Sequence, residues 1–100
     1  IAEIDFHIAD SLARLERYAE AEPYFAAELG RSPGNSRARA GLAMLYRAMG
    51  RRADSERAVA ELVRSSPTRE GYTIAAQLWT MFGEPERAAE ARAQARRTGG

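Results

Sequence analysis

Ser32-Pro33 and Ser66-Pro67 decide how the rest of the chain is read, because the residues upstream of the two prolines come into register when the sequence is shifted by 34 positions. Ile8 then falls on Leu42, Ala9 on Ala43 and Leu12 on Tyr46, and a further shift, shorter by one residue, brings Ala75, the small Ala76 and the large Trp79 into the same places. Each set marks one face of a helix. Four residues further on stand Glu16, Gly50 and Gly83. Glycine adopts the left-handed conformation in which many helices end, so the two glycines read as helix stops and Glu16 breaks the rule. Beyond the turn, Ala21, Ser55 and Ala88 offer a small residue where two helices must approach closely, and Phe25 and Val59 follow one helical turn later. A period of this length built from paired amphipathic segments makes a helical array that presents surface to partners.

The pattern predicts six helices, at about 2–15, 18–30, 36–49, 53–65, 69–82 and 85–97. Ser32-Pro33-Gly34-Asn35-Ser36 supplies a break, a turn and an N-cap, and Ser65-Ser66-Pro67-Thr68 a second stop with a capping threonine. Pro85 suits the first turn of the last helix, whose N–H groups lack partners anyway. Pro23 lies about a turn inside the second helix, where it costs one backbone hydrogen bond or a slight kink. Arg96-Arg97 places positive charge at a helix C-terminus before Gly99-Gly100 stops it.

With these residues in place, the chain resembles the tetratricopeptide repeat family, whose pattern is a large residue, Leu-Gly or Leu-Ala, an aromatic, then Ala, Phe and a closing Pro. The middle unit reads Leu42-Ala43-x-x-Tyr46, Gly50 and Pro67. The first contributes Tyr18-Ala19-Glu20-Ala21 with Phe25 and Pro33, and the third Trp79 with Gly83-Glu84-Pro85-Glu86-Arg87-Ala88. Departures fall in the outer units: Asp5 replaces a usually bulky residue, Arg92 stands where Phe25 and Val59 stand, and the third unit is offset by one and lacks the closing proline. The resemblance implies an all-α fold in which three stacked helix-turn-helix units form a short right-handed α-solenoid. It implies a single domain over 1–100, with units at about 2–35, 36–68 and 69–98.

If Leu42, Ala43 and Tyr46 face a neighbouring helix, then Arg37, Ala40, Met44 and Arg47 fall on another stripe of the same helix. In the family that this chain resembles, such a stripe lines a concave groove that holds an extended peptide or a partner helix. The matching residues are Glu3, Phe6, Asp10 and Ala13 in the first unit and Glu70, Thr73, Gln77 and Thr80 in the third. The expected partner-binding groove thus comprises Phe6, Asp10, Arg37, Ala40, Met44, Arg47, Thr73 and Gln77. The same residues also read as exposed helix positions making contacts between units. Family members that grip the C-terminal carboxylate of heat-shock chaperones carry Lys, Asn and Arg where this chain has Phe6, Asp10, Gly41, Glu70 and Ile74, and none of these clamps a carboxylate.

Composition narrows the function classes. One hundred residues with 45% hydrophobic content and 21 alanines make thin, closely packed helices, near the lower limit at which stacked pairs bury a continuous core. The absence of cysteine excludes disulfides and thiol ligands. No apolar run is long enough to span a membrane, so no membrane insertion is expected. A chain beginning at Ile1 reads as a piece of a longer protein, which makes the lack of a signal peptide uninformative. All fifteen basic residues are arginine, a bias that suits GC-rich coding, and the net charge of +1 gives no field to draw nucleic acid. His7 is the sole histidine, and Asp5, Asp10 and Ser11 lie on one helix without an oxyanion-hole turn, so neither a metal site, a cofactor site nor catalysis is expected. Glu20 and Glu22 read as helix-dipole partners, Met49 and Met81 as packing residues, and Met44 as a candidate binding residue. The conclusion from sequence is a non-catalytic scaffold for a protein or peptide partner; the alternative is a structural spacer or self-associating segment. Ile1, Ile4 and Phe6 crowd the first helix and call for cover by a preceding unit or another chain, so a homo-oligomer through Ile1 and Ile4 is a further expectation.

Overall fold

Helix boundaries follow local capping chemistry. The computed structural model describes residues 4–98, and among these it places six helices and no strand: α1 (Ile4–Arg14), α2 (Tyr18–Arg31), α3 (Ser36–Ala48), α4 (Arg52–Ser65), α5 (Arg69–Met81) and α6 (Pro85–Thr98). Glu3, Ile1, Gly99 and Gly100, on which some of the expectations rest, lie outside the described residues. α3 starts where the Asn35 side chain accepts the Ala38 amide at 3.1 Å, and α5 where Thr68 accepts that of Gly71 at 3.1 Å. Each of these bonds satisfies an amide that the helix itself leaves without a partner.

The first helix of each pair ends in one repeated closure. The amide of Arg17 bonds to the Leu12 carbonyl, that of Arg51 to Tyr46 and that of Glu84 to Trp79, at 2.9, 2.8 and 2.8 Å. The residue before each amide sits in the left-handed region: Gly50 at φ 77°, Gly83 at φ 74° and Glu16 at φ 59°. Glu16 therefore breaks the glycine rule in sequence but obeys it in conformation, at a steric cost that the glycines avoid. The connection between α2 and α3 has four residues and that between α4 and α5 three, which is why the third unit is offset by one. α2 runs on through Pro23, whose ring nitrogen has no hydrogen to donate one turn back.

Small residues set the distance within pairs. Ala9, Ala21, Ala43, Ser55, Ala76 and Ala88 are all buried, and the Ser55 hydroxyl, fully enclosed, donates to the Ala43 carbonyl at 2.9 Å. Between pairs, the fit changes along the chain. Phe25 lies over Gly41, where an added Cβ would meet the ring at 2.5 Å, while Val59 packs with Leu62, Ala75, Ala76 and Leu78 in a second cluster. Burying a side chain the size of Phe25 contributes about 1.5–3 kcal/mol, so each seam matters to an array this short.

Polar residues are also built into the seams. Glu28 is buried and accepts from Asn35 at 3.0 Å and Arg31 at 3.2 Å; Arg31 reaches Asp5 at 2.6 Å. Asp5, out of place by the family pattern, thereby ties α1 to the end of α2 and, through Glu28 and Asn35, to the cap of α3. Glu22 does more than face a helix dipole: it accepts from the Tyr46 hydroxyl at 2.9 Å and from Arg51 at 3.0 Å, joining α2 to the next pair. Met49 packs against the first cluster, but Met81 is 64% exposed, contrary to expectation. It lies beside Thr80 and Arg92 on the far side of the last pair, where no following helix covers it among the described residues.

α3 approaches both α1 and α5, whereas α2 and α4, and α4 and α6, have no Cα atoms within 8 Å of each other. The helix pairs are therefore closer along α1, α3 and α5 than along α2, α4 and α6. The first row forms the inner side of the array, and the second is separated by outward-opening grooves.

Candidate functional site: an inner stripe and two outer grooves

The eight residues expected to form a groove divide into two groups. Arg37, Met44, Thr73 and Gln77 are exposed, Met44 at 41%. Arg37 has no ion pair among the described residues and lies 5.1 Å over the Phe6 ring. Asp10 is half-buried and already paired with Arg14 at 2.9 Å. The remaining three are drawn into packing. Phe6 meets Phe25 edge-on with ring centres 6.1 Å apart, and Ala40 packs on the second cluster. Arg47 stacks 4.7 Å above Phe82 and donates to the Phe82 carbonyl at 2.8 Å, closing the end of α5, with Glu84 at 3.8 Å. The inner stripe is thus a thioether surface beside one unpaired guanidinium, becoming neutral and polar toward α5. His7 is exposed, and among the described residues no three His, Cys, Asp or Glu side chains converge as a metal site.

The outer side holds two grooves that sequence reasoning missed. The first is lined by Leu29, Arg39, Leu42, Tyr46, Asp54, Arg57, Ala58 and Glu61 and has a volume of about 210 Å³. The second, of about 360 Å³, has Tyr72, Ala75, Trp79, Arg87, Glu90, Ala91 and Gln94 at the positions 33 residues beyond the last seven of these, with Val59 and Val63 completing its floor. The signal lay in the repeat itself, since any pocket between two units recurs at the next pair when lining positions are carried forward.

In the first groove the polar wall is internally satisfied. Arg39 reaches Glu61 at 3.3 Å and donates to the Pro33 carbonyl at 2.9 Å; Asp54 accepts from Arg51 and Arg57, both at 2.9 Å. The hydrogen bond from Arg51 holds the Asp54 carboxyl below the usual carboxylate range, with Arg57 adding to the effect. Burial, reinforced by the hydrogen bond to Glu22, pushes the Tyr46 phenol up to about 12. In the second groove, Arg87 stacks 4.7 Å over Trp79 and pairs with Glu56 at 3.2 Å.

The inner stripe and the two grooves present contact surface: apolar floors, stacked guanidinium groups and carboxylates. No helix among the described residues is long and apolar enough to cross a membrane. Comparison with curated proteins returns no match. The family model for the tetratricopeptide repeat matches residues 12–78, from the large residue of the first unit to the seam residue Leu78 of the third. Spanning most of the chain and agreeing with its six-helix fold, that match shows that the chain belongs to the tetratricopeptide repeat family.

Proposed function

We propose that this protein is a non-catalytic scaffold that binds a peptide or a partner helix along the inner row of α1, α3 and α5. Tetratricopeptide repeats generally mediate protein–protein interaction. The observation that supports the finer reading is Met44, left 41% exposed at the middle of the inner row. A thioether adapts to varied apolar shapes, and Arg37 beside it supplies an unpaired cation. Within the expected groove, Arg37, Met44, Thr73 and Gln77 would touch the partner and Asp10 would border it. Phe6, Ala40 and Arg47 would support that surface by holding the helices in place. On this reading residues 1–100 act as one domain of three units.

The test is a photo-crosslinking amino acid at position 44, followed by titration of the captured partner, once purified, against Met44→Glu and Arg37→Glu. Adducts confined to position 44, and at least about tenfold weaker binding by both variants, are expected. Equal adducts from a probe at Glu86 on α6, or unchanged binding by the variants, would reject the inner row.

A second reading has its own observation. Ile4, Ile8 and Leu15 are 48, 38 and 65% exposed, whereas their counterparts Ala38, Leu42 and Met49 in the second unit, and Gly71, Ala75 and Phe82 in the third, are buried or half-buried. We infer self-association through this face of α1. Molar mass measured across a wide concentration range should rise for the native chain and stay monomeric for Ile4→Glu with Ile8→Glu; a monomer throughout would remove this reading.

A further inference from the structure

We propose that the outer groove between α4 and α6 receives an arginine side chain of a partner protein segment, on the face opposite the inner row. The chain already treats arginine in this way within itself. Arg37, Arg47, Arg51 and Arg87 each lie over an aromatic ring at 5.1, 4.7, 4.4 and 4.7 Å. In the first groove Arg39 forms part of the wall, with its charge met by Glu61.

The second groove keeps an acidic, aromatic setting, with Arg87 already on Trp79, but has no arginine in the place of Arg39. Tyr72 stands in place of Arg39, Gln94 in place of Glu61, and Ala75 in place of Leu42, which opens the floor. Glu90, Gln94 and the Tyr72 hydroxyl have no side-chain partner among the described residues, and since Glu56 is already met by Arg87 at 3.2 Å and Arg52 at 3.6 Å, Glu90 is the groove carboxylate left without a cation. A guanidinium suits this lining. It is weakly hydrated, stacks on aromatic faces and offers five donors in a plane, and its aliphatic stem tolerates an apolar floor of Val59, Val63 and Ala91. An acidic segment would meet the unpaired Glu90 carboxylate, and a purely apolar one would take that carboxylate out of water without a partner.

Trp79 is the sole tryptophan and lines the groove, so its fluorescence reports occupancy directly. The probe is the capped tripeptide Leu-Arg-Leu, titrated into the full chain beside the same peptide with citrulline, which keeps the shape and loses the charge. Calorimetry run in parallel registers binding even if the ring is silent. The arginine peptide should bind saturably and at least about tenfold more tightly than the citrulline peptide, the weight of one charge-assisted hydrogen bond. Glu90→Gln should weaken it by a similar factor. Ala75→Leu should abolish binding by refilling the floor as Leu42 does. Glu90→Arg, on an exposed position, should also abolish it without touching the core. Met44→Glu should leave binding unchanged, which separates this face from the inner row. Equal binding of the two peptides, no heat or fluorescence change up to millimolar peptide, indifference to both Glu90 variants, or loss with Met44→Glu would each overturn the proposal.

Discussion

Replacing Glu16 by glycine is expected to stabilise the protein, and replacing Gly50 by glutamate to destabilise it. The two residues occupy equivalent closures. At each, the following amide bonds five residues back across the helix end, Arg17 to Leu12 and Arg51 to Tyr46, and the residue itself sits at positive φ, 59° for Glu16 and 77° for Gly50. An L-residue there carries a left-handed penalty of about 1–2 kcal/mol. Glycine removes that penalty but gives the unfolded chain more freedom, which offsets about 0.4–1 kcal/mol. The net gain for Glu16→Gly is therefore about 0.5–1 kcal/mol, or a rise in melting temperature of roughly 2–8 °C for a domain of this size. The Glu16 side chain is exposed and makes no hydrogen bond or ion pair among the described residues, so little else is lost. Urea unfolding followed by far-ultraviolet circular dichroism reads both changes against the native chain. The reasoning is refuted if Glu16→Gly lowers the midpoint at unchanged slope, or if Gly50→Glu leaves it where it was.

Two other perturbations probe the seams. Gly41→Ala should destabilise by about 1–3 kcal/mol in the same unfolding assay, because its methyl would meet the Phe25 ring at 2.5 Å, and adding Phe25→Val should recover part of the loss; no loss from the single change would show that the ring moves freely aside. The phenol of Tyr46, raised to about 12 in the folded protein, loses its proton more readily when unfolded, near 10, so its contribution is intact below about pH 10 and fades as pH climbs toward 12. Stability measured from pH 9 to 12 should fall more steeply in the native chain than in Tyr46→Phe, and parallel curves would refute that account.

Sequence alone determined where the helices lie and that they repeat. Glycine, asparagine, threonine and proline act through the backbone of their own neighbourhood, so a helix stop at Gly50 or a cap at Thr68 depends little on the rest of the molecule. The same local logic put Met44 on a stripe separate from Leu42 and Tyr46, and the fold leaves it exposed. Which residues on that stripe remain available is a different matter. Phe6 and Arg47 share its spacing, yet Phe6 turns edge-on to Phe25 and Arg47 closes the end of α5, because partners 19 and 35 positions away in the chain are near them in space. Met81 looked like core from its apolar side chain and is exposed because it faces the end of the array. Asp5 and Glu22 looked like a fault and a dipole partner, and become ties between helices only once Arg31, Tyr46 and Arg51 are brought to them. The repeat says only that a pocket between two units recurs at the next; whether the outer grooves open, and how far, belongs to the tertiary structure. Their volume depends on how far α2, α4 and α6 stand apart, a distance decided by the packing of all three pairs, and a difference as small as Leu42 against Ala75 alters it without changing the helical pattern.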